Sequence, residues 1–168
     1  MTMISKKMQE ALNMQVNDEL WSAYLYLSMS MDAEAKGLRG VAHWMYVQWQ
    51  EELGHARRLQ CYMIGQNARV ELMPITEVPT SWNTPLSMFK DSLVHEKEIT
   101  KAFNNLTTLA IDEGDYATYN CLQWFVDEQV EEEATVRDII DQLDMAGGDN
   151  LGLYFIDHQL SERKNPNC

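Results

Sequence analysis

Five acidic residues crowd into the seven-residue stretch "DEQVEEE", residues 127–133, directly after the apolar run "LQWFV". If this segment is a helix, the positions that face a bundle core recur at alternating steps of three and four. From residue 122 onward these positions are Leu122, Phe125, Gln129, Glu132, Val136, Ile139 and Leu143. Because its neighbours on this stripe are apolar, Glu132 is predicted to point into the core.

The same interruption recurs in three other helix-length segments. Each has an apolar stripe with a glutamate near its middle, and one stripe also carries a histidine one turn beyond the glutamate. The stripes are Met8, Leu12, Glu19, Tyr26 and Ala33; Val41, Met45, Gln48, Glu52, His55 and Leu59; and Phe89, Leu93, Glu96, Ile99, Phe103 and Ala110. In an antiparallel bundle, mid-length positions lie at similar heights, so the four glutamates are predicted to converge.

Carboxylates that converge in the centre of a bundle need a partner that balances their negative charge. Ionised carboxylates taken out of water cost several kcal/mol each unless they are paired or protonated, and no lysine or arginine lies on these stripes. Metal cations would balance the charge, and one imidazole with several carboxylate oxygens suits iron or manganese. The motif "EELGH" alone is weak evidence, and it lacks the first histidine of the H-E-x-x-H zinc peptidases. The four aligned interruptions together predict a two-metal centre.

The elements that must position these residues are four long helices and a short fifth one. Runs rich in good helix formers cover about 5–34, 40–66, 85–111 and 115–145, and a short run covers 150–162. Short glycine-containing turns join the first pair and the second pair, whereas residues 67–84 can cross the length of a bundle. We therefore predict an all-α four-helix bundle with one long crossover between helices 2 and 3 and a short fifth helix, residues 1–168 forming a single domain.

The charge and composition of the chain indicate which kinds of molecule it can bind and where it works. The net charge of −13 disfavours nucleic acid and anionic membranes and favours cations. Residues 1–15 lack the apolar stretch of a secretory signal, and no window approaches the roughly 20 apolar residues of a membrane helix. Cys61, Cys121 and Cys168 form no C-x-x-C pair, which fits a reducing cytoplasm with the first two as small core residues.

The sequence resembles the non-haem bacterial ferritins over essentially its whole length. The matching stretches are "NDELWSAYLYLSMS", "WQEELGHARRL", "LVHEKEIT", "LQWFVDEQVEEE" and "GLYFIDHQLS". The resemblance implies one iron held by Glu19, Glu52 and His55, and a second held by Glu52, Glu96 and Glu132 with Gln129 nearby. It places Tyr26 and Trp124 beside this centre, and it implies a third iron site of Glu51, Glu128 and Glu131 with Glu132. Asp127 and Glu133 are expected to be solvated charges.

The resemblance also implies an activity and an assembly. Twenty-four subunits would form a cage, with the fifth helix at the four-fold axes. Each centre would oxidise Fe(II) with O2 or H2O2, and ferric oxyhydroxide would be deposited in the cavity. Haem is not expected, because Leu53 stands where bacterioferritins have their haem-ligating methionine. Two alternatives remain: a passive storage or structural cage subunit, and a ferritin-like di-iron oxidase that forms no cage.

Overall fold

A computed structural model describes residues 4–164 of the chain, and helices are its only regular elements over that range. They are α1 (Lys6–Ala35), α2 (Arg39–Gly65), α3 (Pro85–Asp112), α4 (Tyr116–Ala146) and α5 (Asn150–Leu160). The predicted all-α class and its order of four long helices and one short helix are confirmed. Predicted and observed helix ends differ by at most two residues.

Local sequence signals explain where the helices begin. The Thr84 side chain accepts a hydrogen bond from the Ser87 amide, and the Ser87 side chain in turn accepts one from the Thr84 amide. Pro85 follows at the first helical position, where a missing N–H costs nothing. The N-terminal amides of the other capped helices are satisfied by the side chains of Ser5 for α1, Asp115 for α4 and Asp149 for α5.

The segment between α2 and α3, residues 66–84, runs back along α1. Near its start, the Asn13 side-chain amide donates to the Arg69 carbonyl at 3.1 Å. Near its end, the Trp82 amide donates to the Asp32 carboxylate at 3.0 Å. Asn13 and Asp32 lie near opposite ends of α1, so the segment crosses the length of the bundle. The predicted long crossover is confirmed, and it makes helices α2 and α3 parallel. Helix α1 packs mainly on α2, and α3 packs mainly on α4.

The apolar core consists of two separate clusters with a polar layer between them. One cluster includes the second half of the α1 stripe and the first half of the α2 stripe, and the other holds the remaining halves. The α3 and α4 stripes divide in the same way. Each long helix crosses the polar layer once, at Glu19, Glu52, Glu96 and Glu132. The layer is thus set by the sequence position at which each apolar stripe is interrupted.

Helix α5 is attached to the start of α2 at a point of very close approach. The Asp157 carboxylate accepts a hydrogen bond from the Val41 amide at 2.9 Å. A Cβ atom added to the neighbouring Gly40 would lie only 1.5 Å from the Asp157 carbonyl oxygen. Glycine is therefore required at position 40 for this contact, because any side chain would separate the two backbones.

The cysteines differ from expectation. Cys61 is exposed on α2 and Cys121 is only partly buried, so the prediction that both are core residues is wrong. Cys61 lies outside the apolar stripe of its helix, which explains its exposure. Cys168 lies outside the described residues. Over the part of the chain that is described, we find no helix of the length and hydropathy required to span a membrane.

Candidate metal centre

Two of the predicted ligand groups lie in the polar layer and share one residue. The first group is Glu19, Glu52 and His55, whose ligand atoms all lie within 4.8 Å of one another. The second is Glu52, Glu96 and Glu132, under the same limit. Because Glu52 belongs to both groups, its carboxylate is placed to bridge two cations.

The three side chains of the first group are buried, and their ligand atoms lie close together. His55 Nδ1 lies 3.2 Å from Glu52 Oε2 and 3.4 Å from Glu19 Oε2. The exposed fractions of Glu19, Glu52 and His55 are 0%, 2% and 5%. Glu19 Oε2 is buried, and apart from its ion-pair contact with His55 Nδ1 it has no hydrogen-bond partner among the described residues. A buried carboxylate oxygen without a partner is costly, so this oxygen offers a free lone pair to a cation and the donor set fits a metal ion.

The second group is supported by Tyr26 and Gln129, as the resemblance implies. The Tyr26 hydroxyl donates to Glu96 Oε1. The Gln129 side-chain amide donates to Glu96 Oε2 at 3.0 Å. Both side chains are buried. The two hydrogen bonds fix the orientation of the Glu96 carboxylate and restrict its rotation.

Two glutamines that the sequence analysis assigned no role also hold the carboxylates. The Gln15 side-chain amide donates to Glu19 Oε1 at 2.6 Å. The Gln48 side-chain amide donates to Glu52 Oε1 at 3.1 Å and to Glu132 Oε2 at 2.6 Å. Each glutamine stands four residues before the glutamate on its own helix, which is a spacing that places side chains in contact. A search for glutamine at this spacing before each core glutamate would have found both.

Burial and mutual repulsion make these carboxylates hold protons. Burial raises the pKa of Glu19 to about 7 and, with the charge of Glu52, that of Glu96 to about 8. Burial, followed by the charges of Glu96 and Glu52, raises the pKa of Glu132 well above its normal value. Such shifts mark a site that stabilises positive charge.

Glu52 and His55 titrate in the opposite sense to what burial alone would produce. Burial acts to raise the pKa of Glu52, but the charge of His55 and the hydrogen bonds from His55 and Gln48 together outweigh it and leave this pKa lowered. Burial acts to lower the pKa of His55, yet the carboxylates of Glu52 and Glu19 raise it to about 12. In the absence of a cation, a proton on His55 is therefore held between two carboxylates.

The residues assigned to a third iron site are only partly brought together. Glu128 forms a third possible ligand group with His55 and Glu132, again within 4.8 Å. Glu51 belongs to none of the ligand groups found among the described residues, and its carboxylate instead forms an ion pair with Arg163. Glu131 is exposed. The third site therefore stays a prediction, and Arg163 is a residue that the sequence analysis missed.

The remaining residues of the acidic stretch divide as follows. Asp127 is exposed, as expected. Glu133 is only 14% exposed at its side chain; it forms an ion pair with Arg137 and accepts a hydrogen bond from the Thr100 hydroxyl at 2.7 Å. The expectation that Glu133 is simply solvated is wrong, because α3 supplies a partner. Trp124 stands edge-on to the His55 ring, with 5.5 Å between ring centroids.

A family profile described as the ferritin-like domain matches residues 9–146 of this chain. The chain belongs to the ferritin family. A bacterial non-heme ferritin of Bacteroides fragilis (strain 638R) is 45% identical to this ferritin chain over 161 residues, covering 96% of the chain and 100% of that relative. A bacterial non-heme ferritin of Campylobacter jejuni is 36% identical over 158 residues, covering 94% and 95%.

The solved structures agree with the sequence comparisons. The open pore ferritin of the hyperthermophilic archaeon Archaeoglobus fulgidus matches this ferritin with a TM-score of 0.95 and 47% identity, covering 96% of this chain and 99% of that one. The predicted family and the prediction of an iron-storage ferritin are thereby confirmed. The cluster of carboxylates and one imidazole is consistent with metal binding.

Proposed function

We propose that this ferritin is a ferroxidase that oxidises Fe(II) to Fe(III) in its polar layer before the iron is stored. The observation that carries the proposal is the pair of buried ligand groups joined through Glu52. Four carboxylates, when ionised, balance two divalent cations. The ligands proposed for iron are Glu19, Glu52, His55, Glu96 and Glu132, with Gln129 beside them.

The two ferrous ions supply the electrons, one each, to a molecule of O2 or H2O2. The chain's own residues hold the ions at a fixed separation and exchange charge with them. Carboxylates that are protonated near neutral pH must lose their protons when a cation binds, since metal ligands are deprotonated. Hydrolysis of the ferric product releases further protons as the oxyhydroxide forms. The buried centre thus releases protons both when iron binds and when the oxidised product hydrolyses.

Tyr26 and Gln129 are proposed to act at Glu96. The phenol and the carboxamide each donate to one Glu96 oxygen, so both limit how this carboxylate changes its binding mode when the iron charge rises. The Tyr26 side chain is fully buried, and its pKa is raised well above normal by burial first and by the charge of Glu96 next. A neutral, hydrogen-bonded phenol in this position can supply a further electron together with its proton.

The assembly and the cellular location that we propose for this chain are those typical of the ferritin family. We propose that residues 1–168 form one domain, that twenty-four copies assemble into a cage whose cavity receives ferric oxyhydroxide, and that the cage works in the cytoplasm. Fe(II) with O2 or H2O2 are the proposed substrates. Glu51, Glu128 and Glu131, with Glu132, are proposed to bind a third iron beside the first two.

Stopped-flow absorbance tests the activity on the purified protein after removal of metal. Two ferrous ions per chain are mixed with O2 or H2O2, and wild type is compared with Glu52→Ala and Glu10→Ala. Loss of the shared carboxylate removes a ligand from both cations, so the fast ferric signal should fall by at least about a hundredfold in Glu52→Ala. Glu10 lies on the exposed face of α1, where it forms an ion pair with Lys6, so Glu10→Ala should match wild type.

Equal, slow oxidation in wild type and Glu52→Ala would contradict the ferroxidase proposal. That outcome would favour a passive storage subunit, whose buried carboxylates bind metal without accelerating oxidation. Selective loss of the fast phase in Glu52→Ala would support oxidation at the shared centre.

A further inference from the structure

Arg163, three residues past the end of α5, reaches back to the edge of the polar layer. Its guanidinium donates to Glu51 Oε2, to Gln48 Oε1 at 2.8 Å and to the Trp44 carbonyl at 3.1 Å. The guanidinium carbon lies 4.2 Å from the centre of the Trp44 ring. The Arg163 carbonyl in turn accepts a hydrogen bond from His43 Nε2 at 2.8 Å. All four partners are residues of α2.

This set of contacts differs from an ordinary surface ion pair. The side chains of Arg163 and Glu51 are only 19% and 20% exposed, whereas those of Lys6 and Glu10 are 88% and 64% exposed. Directed hydrogen bonds to a carboxylate, a carboxamide and a carbonyl, together with stacking on an indole, hold the planar guanidinium in one orientation. Arg163 therefore has a defined binding position on α2.

The position of Arg163 determines which way the Gln48 carboxamide points. Gln48 Oε1 accepts from the guanidinium, so its amide nitrogen must face the other way. That nitrogen donates to Glu52 on the same helix and to Glu132 on α4. A continuous hydrogen-bonded path thus connects Arg163 through Gln48 to two proposed iron ligands.

Glu51 connects Arg163 to the predicted third site. The carboxylates of Glu51 and Glu128 repel each other, and those of Glu128 and Glu131 do the same. Arg163 supplies one positive charge at the Glu51 end of this acidic group. A cation bound at Glu51 would have to compete with the guanidinium for the same carboxylate.

We propose that Arg163 is a built-in competitor for the third iron site: it neutralises Glu51 and orients Gln48 until a metal ion displaces it from Glu51. The inference rests on the proposed function, because it presumes metal at the neighbouring centre. It assigns Arg163 a positioning role, acting through Glu51 and Gln48. Iron would then fill the third position only by breaking the Arg163–Glu51 ion pair, so the first two positions fill ahead of it.

Calorimetric titration of Zn2+ into the metal-free protein tests this inference without relying on oxidation. Zn2+ accepts carboxylate and imidazole ligands and does not change oxidation state. Wild type is compared with Arg163→Gln, Arg163→Lys and Arg137→Gln. Arg137→Gln is the matched control, because it removes the same charge from an ion pair with Glu133 on α4.

In Arg163→Gln, the binding step beyond the first two ions should tighten by at least about tenfold, since a half-buried carboxylate has lost its counter-charge. Arg163→Lys keeps the charge but loses the stacking and the planar fork, so its affinity should lie between those of wild type and Arg163→Gln. Arg137→Gln should bind as wild type does. Adding Glu51→Gln to Arg163→Gln should remove the gain.

An unchanged third step in Arg163→Gln, or an equal gain in Arg137→Gln, would overturn the inference. Failure of the proposed function is separate: it would appear in the stopped-flow comparison as equal, slow oxidation in wild type and Glu52→Ala, whatever the Zn2+ titration shows. Far-UV circular dichroism checks that each variant is folded. If Arg163→Gln does not fold, Arg163→Lys carries the test, and an affinity equal to that of wild type then counts against the inference.

Discussion

At the scale of single residues, the polar layer is a place where protons and metal cations compete. The burial that raises the pKa values of Glu19 and Glu96 also excludes water, so each negative charge there needs a proton or a cation nearby. His55 fills this need for Glu19 and Glu52 by keeping its own proton. Metal binding must therefore displace protons, and the affinity for metal should rise with pH.

The stability of the metal-free protein should fall as pH rises from about 5 to about 8. Across this window Glu96, with a pKa of about 8, keeps its proton in the folded state and loses it on unfolding. The folded state then binds more protons than the unfolded state, so its stability is lost as pH rises through the folded pKa. The raised pKa values of Glu19 and His55 act in the same direction.

Thermal melting from pH 5 to pH 8, after removal of metal, measures this effect. Glu96→Gln should flatten the pH dependence, because a carboxamide does not titrate. Glu98→Gln is the control, since Glu98 is exposed on the same helix. A melting temperature in wild type that is constant or rises with pH would count against proton storage by the buried carboxylates.

At the scale of helices, the position of the polar layer depends on how the five helices register with one another. The four glutamates meet because α1 to α4 interrupt their apolar stripes at matching heights. Helix α5 adds no residue to that layer, but its close contact at Gly40 places the segment that contains Arg163 against α2. The backbone contact at Gly40 therefore matters for a side chain more than 100 residues away in sequence.

Gly40→Ala should separate α5 from α2 and lower stability by about 1–3 kcal/mol, the typical cost of overpacking. Gly54→Ala is the matched control within α2, because a Cβ there meets no atom within 4 Å. In a helix interior, alanine should be equal to glycine or better by up to about 1 kcal/mol. Thermal unfolding followed by circular dichroism compares the two variants. A Gly40→Ala protein as stable as wild type would show that the α5 contact is not tight.

At the scale of the whole molecule, a single chain leaves apolar groups uncovered. Tyr24 and Met31 on α1 are 51% and 53% exposed, and they border a groove closed on its other side by Val78 of the crossover segment. Large apolar side chains grouped in this way mark a surface that another protein covers. In a cage the natural occupant is a second copy of the chain.

Gel filtration tests this assembly directly. Wild type should elute as a particle near twenty-four times the 19.5 kDa mass of the chain. Met31→Arg places a charge in the groove and should shift the protein towards smaller species, because an unpaired buried charge destabilises an interface. Elution of wild type as a monomer or dimer would favour a ferritin-like di-iron oxidase that forms no cage.

The sequence predicted the residues whose positions follow from helical periodicity. Glu19, Glu52, Glu96 and Glu132 interrupt apolar stripes, and the structure places all four in one layer. Periodicity within a helix cannot show what a residue outside the helices contacts. The placement of Arg163 against Glu51 depends on the backbone contact between α5 and α2, which no local pattern encodes.

Side chains at the margins of the stripes were harder to predict for a related reason. Glu133 lies just outside its stripe, so periodicity assigns it to solvent, but Thr100 on α3 comes close enough to donate a hydrogen bond. Such contacts depend on the distance between helices, which sequence spacing does not contain. Cys61 shows the reverse error, because its apolar character suggested burial and its position on α2 exposes it.

Gln48 and Arg163 are 115 residues apart in the sequence, so their contact can form only some time after Gln48 has been synthesised. A ribosome adds about 5–20 residues per second, so Arg163 is added on the order of ten seconds after Gln48. Throughout that interval the newly made α2 has Glu51 without its guanidinium. The Arg163–Glu51 ion pair can therefore form only after α5 has been made, so this edge of the polar layer is completed later than the four carboxylates at its centre.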